Sequence, residues 1–177
     1  MDTMTTSMVT FDTALGRCAA RWTDAGVSGV LLPHRYGRPG PSIEDGTDVP
    51  PFVRRAIDGM RATLAGGSPD LRDVPLDETG LDGLRRAVYA ATRAIPPGST
   101  RSYGEVARAM GRDDPQAARD VGAALAKNPF PIIVPCHRVL AANGRLHGFS
   151  APGGLETKRR MLELEGAPGF GQQALFG

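Results

Sequence analysis

Helix-breaking residues recur through the second half of this chain at intervals that permit only short elements. PPGST occupies residues 96–100, Gly111 follows, and then come Asp114-Pro115 and Asn128-Pro129. Proline is excluded from helix interiors, and the residue before it is pushed out of the helical region. Each stretch between these breaks is therefore a short helix or a turn. SYGEVARAMG opens on Ser102 with Glu105 three residues later, the spacing of a reciprocal capping box. Asp114-Pro115 supplies an N-cap and a first-turn proline for PQAARDVGAALAKN. Two short capped helices joined by a few residues predict a helix-turn-helix. Before them, LDGLRRAVYAATRAI places Leu81, Leu84, Val88, Ala91 and Ile95 on one helical face. After them, LETKRRMLELEG predicts an amphipathic helix through Leu155, Met161, Leu162 and Leu164.

The first half has a different rhythm. VTFDTALG, RCAARWTD and GVSGVLLP are short apolar-rich runs separated by LG and DAG turn signals, the pattern of a β-meander. A Pro/Gly-rich acidic loop follows. PPFVRRAIDGMRATLAGG then sets Phe52, Val53, Ala56, Ile57, Met60 and Leu64 at helical spacing, with Gly66-Gly67 as a stop. The fold class expected is α/β in composition and α+β in arrangement. A small N-terminal sheet-plus-helix domain (1–79, with linker) precedes a mainly helical C-terminal domain (80–177) carrying a short active-site strand.

Bulk properties exclude several classes. With 41% hydrophobic and 23% charged residues, the 177-residue chain is ordinary for a soluble globular protein. No apolar run is long enough for a bilayer, and no basic region followed by an apolar stretch marks a secretory signal. Two cysteines, Cys18 and Cys136, make no disulfide framework, so a reducing cytoplasm is expected. The net charge of +2 is uneven: residues 1–79 carry −3 and residues 80–177 carry +5. The basic half suits a polyanion, or is only a solvated arginine-rich surface.

The sharpest local feature is IIVPCHRV. A run of β-branched residues predicts a buried strand entering a turn at Cys136, His137 and Arg138. A free cysteine is most often a small core residue. A nucleophile needs thiolate, and hence a neighbouring base or positive charge, which His137 and Arg138 offer. Side chains of successive strand residues point to opposite faces, so Cys136 and His137 cooperate only in a turn or through a water. Zinc is not expected without a second ligand cluster. In the helix at 115–127, Ala117, Ala118, Gly122, Ala123 and Ala124 are small, which fits either tight helix packing or close approach to a ligand surface. ANGRLHGFSAPGG is a Gly-rich loop in which Phe149 could stack on a flat ligand.

Three segments occur together in the order and spacing of one family: IPPGSTRSYGEVA, AARDVGAALAKNPFPIIVPCHRV and GGLETK…LELEG. Over about residues 80–166 the chain resembles the O6-alkylguanine-DNA alkyltransferases. VTFDTALG…W…GVSGVLLP resembles the family's N-terminal domain more loosely, and implies an RNase H-like unit. The resemblance implies that Cys136 accepts an alkyl group from O6 of guanine, or O4 of thymine, in one irreversible step. His137 would be its base through a water, held by Glu165, and Asn128 would brace the turn. The second helix would enter the minor groove of duplex DNA with Ala118 and Ala123 close to the backbone. Arg119 would fill the gap left by the flipped nucleotide. Tyr103 would crowd a phosphate and help protonate the leaving base, and Arg138 would add a DNA contact. Val139, Phe149, Ser150, Gly153 and Lys158 would form the base pocket. The expected partner is double-stranded DNA with alkylated bases, bound by a monomer with cooperativity along DNA left open. The expected location is a bacterial-type cytoplasm, on the nucleoid when bound. No cofactor and no metal are implied.

Phe149 stands where many members have tyrosine, and GFSAPGG is about two residues longer than the shortest family loops. Three rival readings follow from the same residues. Alkyltransferase-like lesion binders lack the acceptor cysteine that this chain has. A transcriptional sensor would need a further DNA-binding segment. A cysteine hydrolase would turn over repeatedly.

Overall fold

Three strands at the start of the chain bury runs of consecutive residues around two tight turns. In the computed structural model, which describes residues 7–33, 40–146 and 154–170, they are β1 (Ser7–Thr13), β2 (Gly16–Thr23) and β3 (Gly26–Leu31). They pair antiparallel in the order β1-β2-β3, with Phe11 opposite Cys18 and Ala20 opposite Val30. The Thr13 hydroxyl donates to the Gly16 carbonyl (2.7 Å) and closes the first turn.

Helix α1 (Pro51–Leu64) starts at its proline and lays Val53, Ala56, Ile57, Met60 and Leu64 against the sheet. Arg61 ties the two together: Nε donates to the Asp12 carbonyl (2.8 Å), and the guanidinium lies 5.9 Å from the Phe11 ring centre and pairs with Glu44. Both sheet edges are covered by irregular chain. Thr10 N donates to the Pro41 carbonyl (2.8 Å) on the β1 side. On the β3 side Val27 exchanges hydrogen bonds with Pro75 and Asp77 (2.9 and 2.7 Å), and Val30 N donates to the Pro129 carbonyl (2.9 Å).

The second half holds α2 (Gly83–Arg93), β4 (Arg101–Ser102), α3 (Tyr103–Ala109), α4 (Ala117–Ala126), β5 (Val139–Leu140) and α5 (Leu155–Leu164). The expected capping box is present at α3 in both directions. The expected cap of α4 is not. That helix starts two residues later than its proline, and Gln116 caps it without a side-chain bond. The Asp114 carboxylate is drawn to Arg112 instead (2.9 Å), whose other arm holds Asp120 (2.8 Å). Helix α2 is also rotated from its predicted face. Val88, Tyr89 and Thr92 are buried while Leu84 stays 38% exposed. Tyr89 sets that rotation: its hydroxyl donates to the Ala124 carbonyl (2.8 Å) and its ring meets Phe130 edge-on at 6.3 Å.

One buried cluster joins the halves, running from Val9 and Phe11 through Met60 and Val88 to Val134 and Val139. Among the described residues no helix is long and apolar enough to cross a membrane.

Candidate active site

The segment from Pro131 to Val134 was expected to be a strand, and the chain from Asn128 to Val134 is instead a folded-back loop. Prolines at 129, 131 and 135 remove three backbone donors, so a ladder there could not be completed. The Asn128 side chain closes the loop instead. Its Nδ2 donates to the Val134 carbonyl (2.8 Å), and its Oδ1 accepts from Phe130 N (2.9 Å). Ile132 at its centre is fully buried with φ of 75°, a left-handed conformation unusual for a β-branched residue. The regular strand comes after the reactive segment, not before it: β5 pairs parallel with β4, Arg101 opposite Val139. Because β4 runs straight into α3, this short pairing fixes Tyr103 relative to the turn that bears Cys136.

That turn, Cys136–Arg138, is a single 3-10 turn. Cys136 N donates to the Val134 carbonyl (2.7 Å) and Arg138 N to the Pro135 carbonyl (2.9 Å). Neighbouring side chains on such a turn are about a third of a rotation apart. This resolves the strand objection: Cys136 is half-buried while His137 points fully inward. The His137 Nε2 lies 2.6 Å from Glu165 Oε1, and Nδ1 has no hydrogen-bond partner among the described residues. Glu165 caps the C-terminal end of α5.

The ionisation states follow from burial and partners. Burial raises the Cys136 thiol above its ordinary value, against the Asn128 amide, the Lys158 charge and nearby backbone N–H groups. The resting group is a thiol whose proton must leave as it reacts. Burial lowers His137, with the Glu165 charge opposing. Burial alone would raise Glu165, but His137 and Arg138 outweigh it and hold the carboxyl below its usual range. With Glu165 ionised, the Nε2 contact puts a proton on that nitrogen, and Nδ1 is left facing away from the carboxylate without a partner among the described residues. Cys18 is a contrast: fully buried in the sheet, its thiol is pushed up to about 11 by desolvation.

One expected contact is corrected, and two expected pocket residues are buried. Arg138 cannot reach DNA, since it is 5% exposed and its guanidinium is spent on Glu165 and the Ile95 carbonyl. Val139 and Lys158 were expected on a pocket wall, and both are fully buried. The Lys158 ammonium donates to the Val139 carbonyl (2.7 Å) and lies 5.9 Å from the Tyr103 ring centre. Burial brings Lys158 down to about 8, opposed by the nearby thiolate form of Cys136. Phe149, Ser150 and Gly153 lie outside the described residues.

The remaining site residues meet in a groove of about 730 Å³ between α3 and α4, lined by Tyr103, Ala118, Arg119, Gly122 and Ala123. The small residues of α4 face two ways. Ala117 and Ala124 are buried against the core, whereas Ala118, Gly122 and Ala123 open to the groove. A Cβ on Gly122 would sit 3.8 Å from the Tyr103 ring, so this helix leaves the ring room. Burial raises the Tyr103 hydroxyl, and a Cys136 thiolate adds to the effect. Arg108, also on the groove, was missed, although its place one helical turn beyond Gly104 was available from the spacing. Among the described residues no group of three His, Cys, Asp or Glu side chains could hold a metal.

Comparison with known proteins places this arrangement. Residues 83–167 match the family described as 6-O-methylguanine DNA methyltransferase, DNA binding domain. A methylated-DNA–protein-cysteine methyltransferase of Mycobacterium tuberculosis is 46% identical over 125 residues, covering 71% of this chain and 72% of that protein. A DNA base-flipping protein of Thermus thermophilus is 41% identical over 148 residues, covering 82% and 92% respectively. Among solved structures, Mycobacterium tuberculosis OGT in complex with DNA superposes with a TM-score of 0.70 at 34% identity, covering 96% of this chain and 99% of that one. The chain belongs to the methylated-DNA–protein-cysteine methyltransferase family.

Proposed function

We propose that this protein reverses alkylation damage in DNA directly, moving an alkyl group from O6 of guanine, or O4 of thymine, onto Cys136 once per chain. The observation that carries the reading is one 3-10 turn holding a half-buried thiol beside an imidazole whose far nitrogen is fixed by a buried carboxylate. The Cys136 sulfur attacks the alkyl carbon. The S–C bond forms as the C–O6 bond breaks, and the thiol proton passes to His137 Nδ1 through a water. The departing guanine oxygen leaves its charge on the base, and the Tyr103 hydroxyl donates a proton to it. The product thioether is stable and no reductant is implied, so the chain acts once.

The target atom lies inside a duplex, so the base must leave the stack at a cost of a few kcal/mol. Helices α3 and α4 are read as a helix-turn-helix with α4 in the minor groove, where Ala118 and Ala123 allow close approach. Arg119, exposed on the same groove, takes the place of the flipped base. The similarity to a base-flipping protein supports this step, and Cys136 adds the transfer. Phe149, Ser150 and Gly153 are assigned to the base pocket on the family pattern alone. Residues 1–79 are read as a reduced RNase H-like domain, supported by the meander with α1 across one face. Residues 80–177 form the DNA-binding and acceptor domain of a monomeric cytoplasmic protein.

The test is to incubate the full chain with excess duplex containing O6-methylguanine and measure intact and peptide masses. One methyl per chain, on the Cys136 peptide and no further, is expected. Lesion binding without transfer would leave a base-flipping protein and defeat the repair reading.

A further inference from the structure

A carboxylate within hydrogen-bond distance favours the protonated form of a histidine, because the opposite charge stabilises the added proton. A protonated His137 could not take a proton from Cys136. The groups facing it decide the outcome: Glu165 and Lys158 from α5, and Arg138 and Cys136 from its own turn.

Arg138 takes nearly all of the Glu165 carboxylate. Its Nε donates to Oε1 (3.0 Å) and Oε2 (3.2 Å), and Nη2 also donates to Oε2. Its Nη1 donates to the Ile95 carbonyl beyond the end of α2 (2.6 Å), which locks the fork from another element. His137 shares Oε1 with Arg138 and has no oxygen to itself. The charge count is then closed. One buried carboxylate is matched by one buried guanidinium, and the Lys158 ammonium lies buried nearby. A proton on His137 would be an unmatched positive charge where water is excluded, which is costly.

The geometry points to Arg138 as a positioning residue that saturates Glu165 and so keeps His137 a neutral imidazole, proton on Nε2 and lone pair on Nδ1. The inference rests on the reading of His137 as the base. With Arg138 removed, Glu165 would hold an imidazolium, and the competent base would exist only at higher pH. A family likeness to PCHRV names this arginine without giving it that work; the shared oxygen and the Ile95 anchor do.

The experiment is a histidine ¹⁵N NMR titration of the full chain without DNA, with the His137 signal identified by its loss in His137→Gln. The unaltered protein should keep the neutral Nε2–H form at and below the ordinary histidine value of about 6.5. Half-protonation at or above that value would overturn the inference outright, with no variant needed. Arg138→Gln should bind a proton at His137 at least tenfold more tightly, and the acid limb of single-turnover alkyl transfer should move up equally. Arg138→Lys, which keeps the charge without the fork, should recover at least half of the shift. A folded Arg138→Gln that titrates like the parent, and merely reacts more slowly at every pH, would reduce Arg138 to scaffolding. Because the titration needs no lesion, its failure is distinct from the failure of alkyl transfer, which would show as an unmodified Cys136 peptide.

Discussion

Asn128 offers the most direct test of how the reactive turn is held. Asn128→Ala removes two hydrogen bonds at once, to the Val134 carbonyl and from Phe130 N, and both residues are buried. A buried backbone group left without its partner costs about 1–3 kcal/mol. Two such groups, partly relieved by water because Asn128 itself is half-buried, give a loss of about 3 kcal/mol. The kinetic loss should exceed what stability alone implies. Ile132 holds a left-handed conformation that costs about 1–2 kcal/mol, and the loop keeps it because both ends are pinned. Released at Asn128, the loop can relax along a path that moves Cys136 relative to His137 and Tyr103. Urea unfolding gives the stability, and single-turnover transfer well below the melting temperature gives the rate. Asn128→Asp keeps the acceptor for Phe130 N but loses the donor and sets a negative charge near the thiol, so its transfer should be at least as slow. An alanine variant within about 0.5 kcal/mol of the parent, as for an ordinary surface change, and within about twofold in rate would refute the reasoning.

Other outcomes can be stated now. Gly26→Ala should destabilise the chain by about 2–4 kcal/mol in urea. Gly26 has a φ of 144°, and a Cβ there would lie 2.5 Å from the Pro75 carbonyl oxygen, which belongs to the backbone covering β3. Arg119→Ala should slow transfer from duplex by about tenfold or more, since the proposed wedge would offset part of a few kcal/mol of unstacking, yet leave transfer from a single-stranded oligonucleotide within about threefold. Stability should fall as pH is lowered from 7. His137 is depressed in the fold, so the unfolded chain takes up more protons as pH drops through its value of about 6.5. Glu165 is depressed too, and its contribution is lost below the unfolded value of about 4.3 as pH falls toward its folded one. Thermal unfolding across pH 4–8 checks the sign, and a melting point rising on acidification would refute it.

The elements legible in the sequence were those whose signals are local. The Ser102–Glu105 box, the proline start of α1 and the turns between β1, β2 and β3 depend on residues a few positions apart. The failures involve competing partners that a local pattern does not rank, whether near in the chain or far from it. Nothing in GRDDPQ says that Arg112 will take Asp114 from the α4 cap, and nothing in YAAT says that Tyr89 will turn α2 toward Ala124. The three isoleucine and valine residues before Cys136 read as a strand because burial and β-branching are shared by strands and by loops sealed inside a core. Only the prolines argued otherwise. Cys136 and His137 stood out from IIVPCHRV itself, and the family pattern added the role of Glu165. That pattern did not reveal that Arg138, adjacent in sequence, faces inward.

The edge of β3 has a bearing on how the molecule is made. Its outer hydrogen bonds are completed first by Pro75 and Asp77 and then by Pro129, from the other half of the chain. During synthesis from the N-terminus the meander and α1 emerge early, while Val30 N still lacks its acceptor. An uncovered strand edge invites pairing with a neighbouring nascent chain. The loop that aims the reactive thiol is thus also the cover that ends this exposure, so a polypeptide interrupted before residue 129 would leave the ribosome with an adhesive edge as well as without its nucleophile.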